Sequence, residues 1–333
     1  MEYARSEARG WAKEKFQGLH NVTMPTFTAD LKSLNESAIR FDVEESAKQG
    51  FFATLLSSEC GTSKEEMKKF IELAVDTGRR KIRLTLHASF DTLEDTLEMV
   101  RYAEEAGCHA VLLSYPPMFY PETELEIFRF TQKVCDTTNL GVIMFLSNSW
   151  GFDRFHPSGF PLDLLKKIIA IPNIIAVKYS LPNVAYFHEV AKVCRGKVLV
   201  SDPKEPYWPA WIELYEMQWG GTSNYEYMQG AVEYFDLLRK GEREKGLEIY
   251  WRLNPAREVT MEHLLHVLPT GLHHRLLWKY QGWLVGFNGG PLRTPVMRLN
   301  KPLMNKFRRA LEASGIRPTK DDDARFFVGR NPT

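Results

Sequence analysis

Eight short apolar runs, each rich in β-branched residues and each closing on polar ones, recur between about residue 20 and residue 240, separated by amphipathic segments about a dozen residues long. This alternation is the mark of repeated βα units that build a parallel sheet. The runs read NVTMPTF from 21, FFATLLSS from 51, KIRLTLHA from 81, HAVLLSYP from 109, GVIMFLSN from 141, NIIAVKYS from 173, KVLVSD from 197 and GGTSN from 220. Strands so continuous in apolar residues are covered on both faces, as in a barrel closed inside a ring of helices. An open doubly wound sheet would show a glycine-rich turn after its first strand, whereas TADLKSLN follows NVTMPTF. The predicted fold is therefore α/β. It is a (β/α)8 TIM barrel with an N-terminal extension over residues 1–240, followed by a C-terminal helical region over 241–333, where no further strand pattern occurs.

The intervening segments carry helix signals of their own. Ser63 with Glu66, and Thr123 with Glu126, have capping-box spacing, and Met67, Phe70, Ile71 and Ala74 form one apolar stripe. The charge balance narrows the ligand. Forty-three Lys and Arg against 42 Asp and Glu leave a net charge of +1, which gives no global field for nucleic acid or an anionic membrane and points to a small-molecule partner. Cys60, Cys108, Cys135 and Cys194 show neither CxxC spacing nor the density of a disulfide scaffold, the usage expected of a reducing, cytoplasmic setting. The opening MEYARSEARGWAKEKF lacks the apolar core of a signal peptide, and no run has the length of a membrane span.

In a barrel the βα loops build one mouth at the C-terminal ends of the strands, so the residues ending each run are site candidates. These are Thr26; Ser57, Ser58 and Glu59; His87; Ser114 and Tyr115; Phe145, Ser147 and Asn148; Lys178; Asp202; and Ser223 with Asn224. Lys178 shares parity with Ile174 and Ala176, so it faces the interior if they do. An amine among Ile, Val and Ala is desolvated, which disfavours the ammonium and leaves more of the nucleophilic free base. On the pattern alone, Lys178 is equally readable as a strand-end lysine reaching solvent or pairing with Glu59 or Asp202.

From Asn21 to Leu311 the chain resembles, in order, the dihydrodipicolinate synthase and N-acetylneuraminate lyase superfamily of class I aldolases. NIIAVKYS is similar to the strand that bears its Schiff-base lysine, SSECGTSKEEM to its Gly-Thr-Thr-Gly-Glu loop and following helix, GGTSN to its last strand, and GPLRTPVMRLNKPLMNKFRRALEASGI to its C-terminal helices. The resemblance implies that Lys178 forms an imine with a 2-oxo acid of the pyruvate type and that no external cofactor is needed. It implies too that Ser57 and Ser58, with Glu59 beside them, line the carboxylate site, that Ser223 ends the last strand at the mouth, and that the assembly is a homo-oligomer, a dimer or tetramer. Glu59-Cys60, Pro117-Met118-Phe119 and Lys178-Tyr179 look most like the hydratase-aldolases that cleave benzylidenepyruvates.

Two positions depart from the superfamily pattern. Its fifth strand ends in a tyrosine that shuttles a proton, and IMFLSNS places Phe145 there, a side chain that neither donates nor accepts one. Substitutes within reach of the sequence are His87, Tyr115, Tyr179, or a water held by Ser147 or Asn148, with His87 and Tyr115 ranked first. A histidine or tyrosine at a strand end is also commonly just hydrogen-bonded in place. The tyrosine exchanged between subunits in the synthase branch would fall near Met118 and Phe119, with Tyr120 close by. The expected activity is a carbon–carbon lyase joining or releasing a 2-oxo acid and a bulky or aromatic aldehyde, for which Trp150, Phe119 and Trp208 would suit. The alternatives are an imine-dependent hydratase, dehydratase or condensing enzyme, and a non-catalytic ketoacid-binding barrel. No metal site is expected: His263 with His266, and His273 with His274, lack a completing carboxylate or cysteine.

Overall fold

The computed structural model describes residues 2–267, 275–293 and 299–333. Its strands are β1 (Gly18–Thr23), β2 (Ala53–Leu56), β3 (Arg83–Ala88), β4 (Ala110–Leu113), β5 (Gly141–Leu146), β6 (Ile174–Tyr179), β7 (Leu199–Ser201) and β8 (Trp219–Gly220). They form one sheet in the order β7-β6-β5-β4-β3-β2-β1-β8, and the Gly221 amide donates to Ser201 Oγ at 2.7 Å beside the two ends of that order. Helix α1 (Ala8–Lys15) precedes the first strand. Then α2 (Glu36–Lys48), α3 (Lys64–Gly78), α4 (Leu93–Ala106), α5 (Glu124–Thr137), α6 (Leu162–Ile168), α7 (Val184–Cys194) and α8 (Trp208–Tyr215) follow β1 to β7 in turn. After β8 the chain is helical, through α9 (Ala231–Arg239), α10 (Arg243–Arg252), α11 (Asn254–Val267), α12 (Arg275–Leu284) and α13 (Lys301–Ala313). This is a (β/α)8 barrel followed by a C-terminal helical part.

Most strands end before the expected runs do, and two of them, β1 and β8, end four residues early. β1 ends at Thr23, before Pro25, which has no N–H to give to a ladder. β8 is the pair Trp219–Gly220, so Thr222, Ser223 and Asn224 lie beyond it. The helix signals act as their chemistry requires. Ser63 Oγ accepts from the Glu66 amide while the Glu66 carboxylate accepts from the Ser63 amide, at 3.2 and 2.9 Å. The Glu126 carboxylate accepts from the amides of Glu122 and Thr123, at 2.6 and 3.1 Å. Met67, Phe70, Ile71 and Ala74 are all buried. Among the described residues no helix is long and apolar enough to cross a membrane, and no group of three His, Cys, Asp or Glu is placed to hold a metal ion. His273 and His274 lie outside the described residues.

By contact the chain falls into two units: Met1–Gly18 with Arg83–Gly221, and Leu19–Ile82 with Thr222–Thr333. In the first, the N-terminal extension is tied to strand ends by polar bonds that cross long stretches of sequence. Tyr3 Oη donates to the His109 carbonyl at 2.5 Å and accepts from the Gly141 amide at 2.7 Å. The Arg9 guanidinium donates to the carbonyls of Ile169, Ile171 and Ile174, just before β6 and at its start. These carbonyls and this amide would otherwise be desolvated without partners, which is costly.

In the second unit, α2 starts on Asn35, whose side chain accepts from the Ala38 amide at 2.9 Å. Its buried residues Ala38, Ile39 and Val43 sit on one stripe.

Replacing Tyr3 by Phe removes one hydroxyl and strands both a carbonyl and an amide. Urea denaturation is expected to show a loss of about 1–3 kcal/mol. An unchanged midpoint would mean that the extension contributes nothing to the barrel.

Candidate active site

In a parallel ladder, paired residues face the same way and successive residues face opposite ways. Within the first unit the pairs are His87 with Leu112, Leu112 with Ile143, Ile143 with Ala176, Phe145 with Lys178, and Lys178 with Ser201. Phe145 is two residues beyond Ile143, and Lys178 two beyond Ala176. One face of β3 to β7 therefore carries His87, Phe145, Lys178 and Ser201, and the alternation continues to Ser114 just past β4.

Lys178 is 7% exposed, and its Nζ lies 4.2 Å from the centroid of the Phe145 ring. An ammonium over an aromatic face is attracted by the ring's quadrupole, and more strongly where water is excluded. Phe145 is fixed in turn by Trp150, whose ring meets it edge-on at 5.7 Å and whose Nε1 donates to the Phe145 carbonyl at 2.9 Å. His87, also buried, has Nε2 3.0 Å from Ser114 Oγ. The four side chains Lys178, Phe145, His87 and Ser114 thus share one face, Lys178 against Phe145 and His87 against Ser114.

Tyr115 belongs elsewhere. It is one residue past Ser114, hence on the opposite face, and its hydroxyl meets Thr131 Oγ1 of α5 at 2.6 Å. Its ring stacks on Phe119 at 5.4 Å and abuts Phe130 and Phe152. Burial pushes the phenol far above its ordinary range. Tyr179 follows the same rule: its ring packs on Phe187 of α7, and its hydroxyl donates to the Asn183 carbonyl. Neither tyrosine turns its hydroxyl to the lysine's face. The sequence reading that put Tyr115 at the mouth took strand-end position as sufficient, whereas parity decides.

Ser147 is spent on the turn after β5, accepting from the Ser149 amide at 3.2 Å, and Asn148 is exposed. Asp202 is fully buried and accepts from Lys204 Nζ at 2.9 Å and Trp211 Nε1 at 3.1 Å. Burial raises its pKa.

The second unit holds the remaining candidates. Ser57 is fully buried, its amide donating to the Thr23 carbonyl at 3.1 Å and its Oγ accepting from Cys60 Sγ at 3.6 Å. Ser58 is half-buried, and Glu59 accepts from the Arg275 guanidinium. Ser223 Oγ donates to Asn224 Oδ1 at 3.2 Å, and Asn224 Nδ2 donates to Gln281 Oε1 at 2.6 Å. The Glu59 and Asn224 chains thus end on α12.

A residue that strand-end reasoning misses holds this loop in place. Arg293 donates to Leu31 O at 2.8 Å, to Gly61 O and Lys32 O at 3.1 Å, and to both carboxylate oxygens of Glu66 at 2.6 and 2.7 Å. Its guanidinium also lies over the Phe27 ring. The planar fork joins the segments after β1 and after β2 in a way that a lysine cannot copy. Only the Arg in GPLRTP hinted at it in the sequence.

Comparison with known proteins places this arrangement. The family model for the dihydrodipicolinate synthetase family matches residues 27–314. The chain belongs to that family. It is 23% identical over 312 residues to 4-hydroxy-tetrahydrodipicolinate synthase of Methanothrix thermoacetophila, covering 89% of this chain and 96% of the relative. A prophage protein of the dihydrodipicolinic acid synthase family from E. coli K12, solved in complex with pyruvate, has a TM-score of 0.75 at 17% identity, with 90% and 99% of the two chains covered. N-acetylneuraminate lyase from Fusobacterium nucleatum has a TM-score of 0.70 at 17% identity, over 89% and 98%. At these identities the structural neighbours speak for the fold.

Arg293→Ala should free the segment between β2 and α3. Limited trypsin digestion read by mass spectrometry is expected to cut at Lys64, Lys68 or Lys69 well before other sites, with Arg293→Lys restoring only part of the protection. Cleavage at the wild-type rate would show that Arg293 does not hold that segment.

Proposed function

We propose that the protein is a class I aldolase-type lyase acting on a 2-oxo acid of the pyruvate class, with Lys178 as the imine-forming amine. The observation that carries this reading is a lysine buried at the end of β6, on the inner face of a barrel whose family is established, set against an aromatic ring. Pyruvate in the E. coli family member supports the substrate class.

The chemistry follows from the residues. The free amine of Lys178 adds to the C2 carbonyl of the acid, and loss of water leaves a protonated imine. As the carbon–carbon bond beyond the α-carbon breaks, its electron pair flows to the imine nitrogen. An aldehyde leaves once its hydroxyl proton has been taken, and the resulting enamine is reprotonated on carbon and hydrolysed to release the acid. Phe145 flanks the nitrogen while it is cationic and moves no proton.

His87 is the proton carrier on this reading, oriented by Ser114, since it shares the lysine's face and Tyr115 does not. Ser57 and Ser58 as carboxylate ligands, with Glu59, Asn148 and Ser223 around the mouth, rest on the family motif. The Phe145–Trp150 wall beside the amine suits a bulky or aromatic aldehyde, the hydratase-aldolase variant of the reaction. The absence of a hydroxyl at Phe145 favours one second reading, an imine-forming enzyme that hydrates or dehydrates without cleavage.

Pyruvate with borohydride is expected to add the mass of the reduced imine to Lys178 and not to a Lys178→Arg protein. No adduct with any 2-oxo acid would sink the imine. His87→Ala should keep the adduct and lower kcat by about 10²–10⁴-fold. Product analysis with benzaldehydes then separates cleavage from hydration.

A further inference from the structure

The second unit contains a small cavity beside the end of β1. It measures about 20 Å³ and is lined by the end of β1, by Asp42 of α2, by Glu226, and by Trp278, Lys279 and Gly282 of α12. Three ionisable side chains thus border a space of one water's size. Each is anchored by bonds of its own. Lys279 Nζ donates to the Pro25 carbonyl at 3.0 Å and to Thr26 Oγ1 at 2.7 Å. Asp42 Oδ1 accepts from the Asn288 amide at 2.6 Å. Glu226 Oε1 accepts from Asn21 Nδ2 at 3.1 Å. None of these bonds joins one of the three to another.

Two binding capacities are left over. An ammonium has three hydrogens and Lys279 uses two. Glu226 is buried, and its Oε2 has no partner in the protein. Leaving a buried carboxyl oxygen and an ammonium hydrogen unpaired costs more than a bridging water does. A water needs roughly 10–15 Å³ and two to four polar partners, and the cavity offers both.

We propose that this cavity is a binding site for one water molecule, which accepts from Lys279 Nζ and donates to Glu226 and Asp42. The site is a buried acid–base relay linking β1, α2, α12 and the segment after β8. A proton can pass between its members with no net change: ammonium and carboxylate on one side, amine and carboxylic acid on the other.

The electrostatics agree with the geometry. Burial raises Glu226 to about 8 and Asp42 to about 7, and lowers Lys279 to about 8, so donor and acceptor are matched. Glu45 and Arg330 act on Asp42 from nearby, and Cys60 acts on Lys279.

Atomic-resolution crystallography of the intact chain decides the water. One peak within hydrogen-bond distance of Lys279 Nζ and Glu226 Oε2 is expected. No peak, or one with the short contacts of a cation, overturns the proposal. Infrared difference spectra decide the proton. The wild type should show a protonated carboxyl stretch at pH 7 that fades above about pH 8 and is weakened in Glu226→Gln, the remainder belonging to Asp42. If that variant does not fold, the wild-type pH series alone serves, and a spectrum without the band refutes the relay.

Discussion

The pairing of β3 through β7 is the constraint on which the rest of the first unit depends. A parallel ladder assigns every side chain to one face or the other, and a shift of one residue would exchange the two sets completely. With the register observed, His87, Phe145, Lys178 and Ser201 point one way while Tyr115 and Tyr179 point the other. The inner set ends in an amine, an imidazole and a hydroxyl beside Phe145, and the outer set is aromatic and pinned to α5 and α7. Burial on both faces stabilises the sheet, so the site is built on rigid strands and only its rim is left to loops.

The second unit solves a different problem, that of ending a barrel strand beside charged groups. Thr26, Asn21 and Ser57 are fully buried: Thr26 Oγ1 accepts from Lys279 of α12, Ser57 Oγ accepts from Cys60 Sγ, and Asn21 Nδ2 donates to Ser46 of α2 and to Glu226, while Asn21 Oδ1 has no partner among the described residues. Lys279 takes the Pro25 carbonyl, which the shortened β1 leaves outside the ladder. Arg293 gathers three backbone carbonyls and the Glu66 carboxylate. The helical part thus supplies the cations that the strand ends of this unit require. Lys279 is buried and finds acceptors in the Pro25 carbonyl and Thr26 Oγ1, while the part-exposed Arg293 spreads its donors over three carbonyls and a carboxylate.

How much of this was legible in the sequence depended on the range of the interaction. The eight runs were legible because period-two alternation and apolar continuity are local, and Lys178 was legible because its parity with Ile174 and Ala176 is written within one strand. The place of His87 near the end of β3 was legible in the same way. Tyr115 stands at an equally plausible strand end, and its parity, opposite to that of Ser114, turns it outward to α5. Lys279, Arg275 and Arg293 act more than 200 residues away from their partners in the chain. In the sequence each is an ordinary basic residue of a helical region, and no spacing rule connects it to a strand end. The two-residue β8 escaped for the opposite reason: GGTSN looks extended, yet almost none of it pairs.

The family resemblance leads one to expect a tyrosine where this chain has Phe145, and in the proposed chemistry that difference would keep one half of the site and remove the other. A phenyl ring and a phenol occupy the same place against the Lys178 amine and present the same π-face to a cation. The ring therefore continues to favour positive charge on that nitrogen, first as ammonium and, in the proposed chemistry, as protonated imine. What is lost is the one group at that position able to carry a proton. In the proposed chemistry, proton transfer then falls to a group on the same face. Parity leaves few: Ser201 Oγ accepts from the Gly221 amide, Tyr115 and Tyr179 face away, and His87 lies beside Ser114.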